Sequence, residues 1–437
     1  MTTSTQQASD LPEGGGPFPA PCAWAWVIFL LLPLAVMAYS LWRSPAWWLI
    51  PRDTSTDWGA TQLALHGHLS QIYSKRTALV SFPGLVVLSL PAAALSDLLH
   101  LGTLSFGSGH SLRPTAWYVW GPWTSLVGGT AVLAADSVAA RLSVPVRRRA
   151  VLAVVEAALV WQVVAVWSHP EDALAVALLL WAWLVADRGW WTAAGWLLGA
   201  AVAVQPVVLL AFPVLFVLCP AGRRVGLVVR TAVVGALLVL PELATSFATT
   251  WHQLADQPNF PTLDHPTPLL FLAPHLPAVD RTPAVAAGPA RLLSLALCCL
   301  VAYGVHRRPR SAAGLVWCLA LCFAIRSLVE SVMDPYYLWP ALALAVMVAA
   351  TRRSLYFALA ALGSVLLSGY AQSIHAPWVW WGPLVAGTAV VLCAAYPVGV
   401  AAADGVAPGG TGRDGARDGD GDGDDTTAPD PAAELHR

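Results

Sequence analysis

The stretch AWAWVIFLLLPLAVMAYSLW, residues 23–42, decides the fold class of this chain. It carries no charged side chain, and a helix of this length matches the roughly 30 Å hydrocarbon core of a bilayer. The same character continues along the chain, in which 57% of the residues are hydrophobic and only 11% are charged. A membrane β-barrel would need segments of about 10 residues that alternate apolar and polar, whereas this chain has continuous Leu, Ala, Val and Trp blocks. The sequence therefore predicts an all-α polytopic membrane protein.

The hydrophobic blocks predict about 12 to 13 hydrophobic segments and an amphipathic first outer loop. The polar residues 1–22 and the Gly- and Asp-rich residues 401–437 predict disordered tails on either side of a transmembrane domain over 23–400. No basic region precedes the first block, so no cleavable signal peptide is expected. The predicted segments lie near 23–42, 78–99, 115–140, 150–167, 172–186, 190–204, 206–219, 225–241, 284–305, 311–328, 335–350, 354–371 and 378–399.

Arginine clusters between these segments predict the sidedness of the chain, because short basic loops stay in the cytoplasm. The clusters lie at Arg147–Arg149, Arg188, Arg223–Arg224, Arg307–Arg310 and Arg352–Arg353. The extracytoplasmic face then holds most of the polar positions, which are Asp57, His169, Gln205, the long 242–283 loop, Glu330 to Asp334 and His375. The Arg, Ala and Pro bias of the chain is typical of a high-GC bacterial genome, such as an actinobacterial one.

The number of crossings requires that one early segment does not cross the membrane fully. If both 78–99 and 115–140 crossed, the cluster at Arg147 would emerge on the outside. Pro83 and Pro91 interrupt the first of these segments, and proline breaks a helix or ends it. We therefore expect 78–99 to be a half-helix or a re-entrant element.

Asp57 lies in the short polar loop after the first segment and is the main candidate for chemistry. A carboxylate beside the membrane can act as a general base. Thr56 and Asp57 also suit a helix N-cap, and Asp53 is compatible with a solvated loop carboxylate, so both interpretations stay open. The amphipathic stretch that follows adds three candidate substrate-binding residues, His66, His68 and Tyr73.

The segment Ser168-His-Pro-Glu-Asp172 precedes another hydrophobic block. A polar cap, proline at the first helical position and acids in the first turn are typical of a helix start. That interpretation leaves unexplained why an imidazole and two carboxylates lie on the same side of the membrane as Asp57. His169, Glu171 and Asp172 are therefore also candidate substrate-binding residues.

Two arginines within hydrophobic segments are candidates for binding an anion. Arg326, Glu330 and Asp334 are four residues apart and would form a ladder on one helix face. Arg291 lies near the start of its segment. Arginine within a membrane is unfavourable and usually functional, but an internal ion pair bordered by an interfacial aromatic belt explains the same residues. The substrate-binding candidates here are Arg291, Arg326, Glu330 and Tyr336.

The sequence lacks the motifs of several other classes of protein. The chain has no Walker loop, dinucleotide-binding glycine pattern, nucleophile elbow or His-Glu-x-x-His motif. The seven cysteines have no metal-ligand spacing and are interpreted as small hydrophobic residues. The Trp, Asn, Asp and His content of the 242–283 loop suits contact with carbohydrate.

The acidic first outer loop, the Asp57–Tyr73 stretch and the pair Phe82-Pro83 resemble the C-type integral-membrane glycosyltransferases. The chain is most similar to bacterial polyprenyl-phosphate-mannose-dependent mannosyltransferases, over about residues 20–350. Members of this family often carry Pro-Pro where this chain has Phe82-Pro83, and Lys-Pro where it has Gln205-Pro206.

The resemblance implies a plasma-membrane transferase of the cell envelope with an extracytoplasmic active site. It would move a mannose-like sugar with inversion from a polyprenyl-phosphate donor to a lipid or glycan acceptor. Asp57 matches the catalytic base of the family, while Arg291 or Arg326 could stabilise the departing phosphate, and His66, His68 and His169 would position the acceptor or tune Asp57. Because the donor holds no diphosphate, no metal or other cofactor is expected, and the partners are the two substrates and membrane lipids, with no nucleic acid.

Two other functions fit the same composition. One is a secondary transporter or lipid flippase, in which His169, Glu171, Arg326 and Glu330 form a relay for protons or substrate. The chain shows no convincing internal repeat, although Gln205-Pro206 and Pro213 could break central helices. The other is a membrane scaffold of the same fold without catalytic activity.

Overall fold

The computed structural model describes residues 18–43, 53–73, 79, 81–102, 104, 115–262, 264–279, 281–308, 310–373 and 376–397. Within this part of the chain the helices are α1 (Ala23–Arg43), α2 (Thr54–Leu65), α3 (Gly84–Leu98), α4 (Trp117–Arg141), α5 (Val146–Trp161), α6 (Pro170–Asp187), α7 (Trp191–Val204), α8 (Phe212–Leu218), α9 (Arg224–Asp256), α10 (Pro289–Arg307), α11 (Ala312–Val329), α12 (Trp339–Ala349), α13 (Ser354–Ala371) and α14 (Pro377–Ala395). The strands are β1 (His265–Pro266), β2 (His275–Val279), β3 (Thr282–Val285) and β4 (Val332–Met333).

The predicted fold class is confirmed, because the described chain is a bundle of apolar helices. Seven of its helices are long and apolar enough to cross a membrane. They are Ala23–Trp42, Val146–Trp167, Ala221–Asp256, Pro289–Arg307, Ala312–Val329, Ser354–Ala371 and Pro377–Ala395. The protein is therefore a multi-pass helical membrane protein. The predicted tails at 1–17 and 401–437, together with His375, lie outside the described residues.

The centre of the bundle is α12. All 11 of its residues are buried, which is the pattern of a helix enclosed by other helices on every side. It packs against α11, α13 and α14 and also contacts α4 and α5. Around it, α4, α6, α7 and α9 pack in succession. Gly199 of α7 allows a close approach, since a side chain there would meet the backbone of α9 at Arg230.

The predicted 242–283 loop is shorter than expected. Helix α9 continues through Pro241 to Asp256 and changes direction at Ser246, whose backbone is not helical. Proline is tolerated at this point because the chain bends within the next turns. The connection to α10 therefore begins at Gln257. It contains the β2–β3 hairpin and the strand β1, which pairs with β4 in an antiparallel arrangement.

Side-chain contacts gather the arginine clusters at one end of the bundle, called the arginine end below. Arg148 at the start of α5 donates to the carbonyl of Ala350 after α12, at 3.1 Å. Arg223 donates to the carbonyl of Gly189 after α6, at 2.7 Å. Since α5, α6, α7, α10 and α11 each have one end here, their other ends meet on the opposite side of the bundle.

The residues just before α1 are fixed near the arginine end. The Cys22 amide donates to Asp136 Oδ2 at 2.6 Å, and Arg149 Nε donates to the other carboxylate oxygen at 2.9 Å. Arg149 also donates to the Ala20 carbonyl at 3.1 Å. The ion pair is buried, so losing one partner would leave an unpaired charge. Residues 18–22 of the predicted N-terminal tail are thus part of the folded protein.

Helix α3 lies beside α2. Val86 near its start shares a buried cluster with Ala60 of α2, and Asp97 near its end accepts a hydrogen bond from Gln62 at 3.1 Å. The helix has 15 residues, so its length of about 22 Å is less than the hydrocarbon core. The re-entrant or half-helix character of segment 78–99 stays a prediction, because α7 and α12 are shorter still.

Candidate functional site

Asp57 lies on the buried face of α2. The helix begins at Thr54, with Asp53 at the N-cap position, so the interpretation of Asp57 as the N-cap is wrong. Asp57 occupies the first turn and is 5% exposed. Its neighbour Trp58 packs edge-on against Trp120 of α4, with ring centroids 5.2 Å apart. This contact fixes α2 on the bundle and directs Asp57 inward.

His169 is positioned by an irregular end of α5. One π-helical turn, Gln162–Trp167, follows the helix, and Ser168 then takes a left-handed conformation with φ 63°. Such turns are rare and are frequent at functional sites. The next helix begins as predicted, with His169 at the cap and Pro170 at the first helical position.

The imidazole of His169 bridges two carboxylates. Its Nδ1 lies 2.6 Å from Glu171 Oε1, and its Nε2 lies 3.2 Å from Asp53 Oδ2. The ring stacks on Tyr336, with centroids 4.2 Å apart. Three elements are therefore joined here, namely the start of α2, the start of α6 and the turn before α12. Asp53 is thus a partner of His169 whose side chain remains partly exposed.

The two predicted arginines meet at one glutamate. Arg291 Nε donates to Glu330 Oε1 at 3.0 Å, and Arg326 Nε lies 3.8 Å from Glu330 Oε2. The Arg326 guanidinium lies over the ring of Tyr337, 3.5 Å from its centroid, and Arg291 also donates to Gln257. Glu330 is buried. The two guanidinium groups are thus held in fixed orientations.

Asp334 does not continue the predicted ladder, and that part of the prediction is wrong. Helix α11 ends at Val329, and Glu330 already has extended backbone angles. The strand β4 follows, so Asp334 leaves the helix face. Burial, and secondly the nearby carboxylate of Asp264, raises the pKa of Asp334 to about 8.

Asp57, His169 and Arg326 line one cavity of about 380 Å³. The cavity lies at the end of the bundle opposite the arginine end. One side of it is acidic and contains Asp53, Asp57, Glu171 and Asp172, while the other contains Arg291 and Arg326 with Tyr336 and Tyr337. The remaining polar lining residues are Thr56, Ser81, Gln205, Gln257 and Ser294.

One wall of the cavity is apolar and reaches the outside of the bundle. Leu209, from a 3₁₀ turn at Pro206–Leu210, lines it together with Leu292 and Leu295 of α10. These three leucines are 40%, 72% and 40% exposed. In a membrane helix such as α10, exposed leucines contact lipid chains. The polar cavity is therefore continuous with the lipid-facing surface.

Burial and neighbouring charges change the proton affinity of the acidic side. Burial, and then the carboxylate of Glu171, raises the pKa of Asp57 well above its usual value. Burial alone would lower the pKa of His169, but the carboxylates of Glu171 and Asp53 outweigh it and raise that pKa. An acid of raised pKa next to a paired imidazole is typical of sites that move protons.

Four predicted substrate-binding residues do not line the cavity, and one of them, Glu330, is connected to it only through Arg291 and Arg326. His66 and His68 are exposed at the end of α2, where His66 Nε2 lies 3.6 Å from Asp97. Tyr73 is buried elsewhere and donates to the Ser81 carbonyl at 3.0 Å. From the predicted carbohydrate-binding loop, Gln257 lines the cavity, whereas Trp251 is exposed and stacks on Phe247.

Asp53 and Gln257 line the cavity, but neither was predicted from the sequence as a site residue. Asp53 precedes Asp57 by four residues, and this helical spacing was the available signal that both carboxylates share a face. For Gln257 no comparable signal exists, because its position depends on where α9 ends. Neither the models of known protein families nor the curated proteins match this chain. The fold and site define a multi-pass membrane protein with one cavity that combines carboxylates, arginines and an opening to lipid.

Proposed function

We propose that this protein is a membrane glycosyltransferase. It moves a mannose-like sugar from a polyprenyl-phosphate donor to an extracytoplasmic lipid or glycan acceptor, with inversion. The observation that carries the proposal is the arrangement of the cavity, in which a buried carboxylate and two arginines share a space with leucines exposed on the outside of the bundle. The resemblance of the Asp57–Tyr73 stretch to C-type glycosyltransferases supports the same function.

The donor side is supported by Arg291 and Arg326. Guanidinium groups match phosphate oxygens with paired hydrogen bonds, and Glu330 holds both groups in place. The leucines Leu292 and Leu295 lie one residue and one turn beyond Arg291 and face the lipid side. A lipid phosphate could therefore place its charged group at the arginines while its chain remains in the bilayer.

The acceptor side is supported by Asp57. In an inverting transfer the acceptor oxygen forms a bond to the anomeric carbon while the bond from that carbon to the phosphate oxygen breaks. Asp57 takes the proton of the acceptor hydroxyl. The lipid phosphate leaves with the electron pair of the broken bond, and the two arginines stabilise its charge.

The extracytoplasmic location rests on the arginine end. Positively charged short loops stay in the cytoplasm, and the contacts of Arg148 and Arg223 gather these loops on one side of the bundle. The cavity lies on the other side. A multi-pass protein of the plasma membrane with an external active site fits this arrangement.

A secondary transporter or lipid flippase is the second candidate. The observation that favours it is the acidic side of the cavity, where Asp57, Glu171 and Asp172 are buried around His169, since buried acids with an imidazole also form proton relays. A catalytically inactive scaffold would retain the same packing. Neither alternative accounts for the lipid-side opening next to two fixed arginines as fully as a lipid-phosphate donor does.

The test is a transfer assay with purified full-length protein in lipid nanodiscs. The protein is given polyprenyl-phosphate-[¹⁴C]mannose and a lipid extract of the bacterial envelope. We expect label in a new product and release of polyprenyl phosphate in equal amount. If folded protein releases no polyprenyl phosphate but moves labelled lipid across a liposome bilayer, the transport function is correct and the transferase is not.

A further inference from the structure

We propose that His169, Glu171 and Asp172 bind one divalent metal ion on the acidic side of the cavity. Each of the three side chains offers one ligand atom, and these atoms lie within 4.8 Å of one another. No metal is expected from the sequence, because transfer from a lipid-phosphate sugar involves no diphosphate that needs one. The proposal concerns binding of an ion, so it does not depend on whether the protein transfers sugar.

The first support is the charge of this side of the cavity. Asp53, Asp57, Glu171 and Asp172 all line it, and His169 is the group among them that can carry a positive charge. The arginines on the other side share Glu330, and Arg326 also interacts with Asp172, so the carboxylates around the cavity still outnumber the cations. Buried carboxylates in excess of cations are strongly unfavourable unless they are neutralised. One divalent cation would neutralise two of these negative charges.

The second support is a buried carboxylate oxygen without a partner. Glu171 is 2% exposed, and its Oε1 lies beside His169 while its Oε2 has no hydrogen-bond partner. Most buried polar atoms are hydrogen-bonded, and an exception calls for an explanation. Because Glu171 lines the cavity, a ligand there can satisfy this oxygen.

The third support is the orientation of His169. Its Nε2 lies 3.2 Å from Asp53 Oδ2, while Nδ1 is directed at Glu171. Histidines that bind metals almost always donate their other ring N–H to a carboxylate or carbonyl, which fixes the tautomer. An ion bound at Nδ1 displaces the proton that Nδ1 shares with Glu171, while Nε2 keeps its proton and donates it to Asp53. Stacking on Tyr336 holds the ring in this plane.

The ligand set indicates the class of metal. Ligands at about 2.1 Å from a common ion lie roughly 3 to 4.2 Å apart. The Nδ1–Oε1 pair, now 2.6 Å apart, would therefore separate, and ligand atoms up to 4.8 Å apart would approach, each by under about 1 Å. One imidazole with two carboxylates is a set that suits Mn²⁺ and Zn²⁺. Mg²⁺ and Ca²⁺ prefer oxygen ligands alone. We therefore assign the site to an ion of the Mn²⁺ or Zn²⁺ type.

The test measures metal binding by the full-length protein in detergent after treatment with a chelator. MnCl₂ is titrated, and bound Mn²⁺ is measured by electron paramagnetic resonance. We expect one Mn²⁺ per chain, with nitrogen hyperfine coupling from the imidazole and displacement by ZnCl₂. Glu171→Gln and Asp172→Asn should each weaken binding at least tenfold, and His169→Gln should abolish the nitrogen coupling.

The matched control is His252→Gln. His252 forms an exposed pair with Asp256 and does not line the cavity, so this variant should bind Mn²⁺ as the wild type does. The proposal is overturned if the wild type binds no Mn²⁺ or Zn²⁺, if the bound ion shows no nitrogen coupling, or if His252→Gln removes the coupling. The first two results need no variant, so misfolding of Glu171→Gln does not prevent a decision. Sugar transfer without metal binding would refute this proposal alone.

Discussion

Glu330 is the residue on which both arginines of the cavity depend. It is buried, and each of its carboxylate oxygens faces a different guanidinium, at 3.0 Å from Arg291 and 3.8 Å from Arg326. Both arginines line the cavity while they share this carboxylate. The same pairing also explains how two arginines are tolerated in apolar helices.

Arg326→Lys separates a phosphate-binding role from a structural one. Lysine keeps the charge but loses the planar set of donors, so we expect donor use to fall at least about tenfold while the unfolding temperature changes little. The measurement is the initial rate against the concentration of polyprenyl-phosphate sugar. The control Arg353→Lys changes an exposed arginine at the arginine end. If Arg326→Lys has wild-type rates and Arg326→Ala fails to fold, the arginine is structural.

The raised pKa of Asp334 predicts that the stability of the protein depends on pH. Its pKa is raised to about 8, first by burial and then by Asp264, and is modulated by His169, Asp53 and Tyr337. The folded state therefore binds this proton more tightly than the unfolded state, whose pKa is about 3.9. The resulting stabilisation is fully present below about pH 4 and is lost as the pH rises towards 8.

Asp334→Asn should remove this part of the pH dependence. We expect the unfolding temperature of chelator-treated Asp334→Asn to exceed that of the wild type at pH 8, with a smaller difference at pH 5. Thermal unfolding in detergent at both values is the measurement. A difference that is larger at pH 5 than at pH 8 would mean that Asp334 is charged in the folded protein.

At the scale of elements, the contact between α3 and α7 supports one side of the cavity. Gly84 at the start of α3 packs against the end of α7, and a Cβ at this position would overlap the carbonyl oxygen of Ala203. The residues just before it, Leu79 and Ser81, line the cavity. A shift of α3 would therefore move this wall.

Gly84→Ala is expected to destabilise the protein by about 1–3 kcal/mol, because extra volume at a close contact forces the backbone apart. The control is Gly304→Ala in α10, where an added Cβ meets nothing within 4 Å. It should leave stability unchanged or raise it by up to about 1 kcal/mol. Chemical unfolding followed by tryptophan fluorescence compares them, and equal stability of the two variants would contradict the α3–α7 contact.

Most helices were predictable from the lengths of the hydrophobic segments. The helices that were predicted wrongly have physical explanations. Runs of apolar residues predicted every described membrane helix. The continuation of α9 was missed because Pro241 and Glu242 suggested an ending, whereas helices in this bundle tolerate proline at a bend. The π-helical turn before His169 was not predictable, because Val163 to Trp167 are all apolar and a change in which side chains align leaves the pattern the same.

At the scale of the whole molecule, the sequence predicted only in part which distant residues come together at the cavity. Sidedness placed His169 and the end of the Arg326 segment on one face, because each lies across a segment from an arginine cluster, and one crossing by 23–42 placed Asp57 there as well. It could not distinguish them from His66 and His68, which share that face but lie on the exposed end of α2. Which residues line the cavity depends on how α2 packs against α4. That packing is a tertiary contact between Trp58 and Trp120.

The sidedness of the molecule is itself a prediction. Single cysteines at His68 and Thr262, both exposed on the cavity side, should react with a membrane-impermeant thiol reagent in intact cells. A cysteine at Arg310, on the arginine end, should react only after the cells are opened. The background is a variant without native cysteines. The reverse pattern would place the cavity in the cytoplasm and exclude an extracytoplasmic acceptor.

The most direct measurement for the central claim is the rate of sugar transfer by Asp57→Asn. Asparagine keeps the size and polarity of the side chain but cannot accept the proton of the acceptor hydroxyl, and loss of a general base lowers rates by about 10²–10⁴-fold. We predict that Asp57→Asn loses transfer from polyprenyl-phosphate mannose by at least about a hundredfold, while it inserts and unfolds like the wild type. The control His66→Gln, outside the cavity, should keep its activity. Transfer by Asp57→Asn at a rate close to that of the wild type would contradict the account.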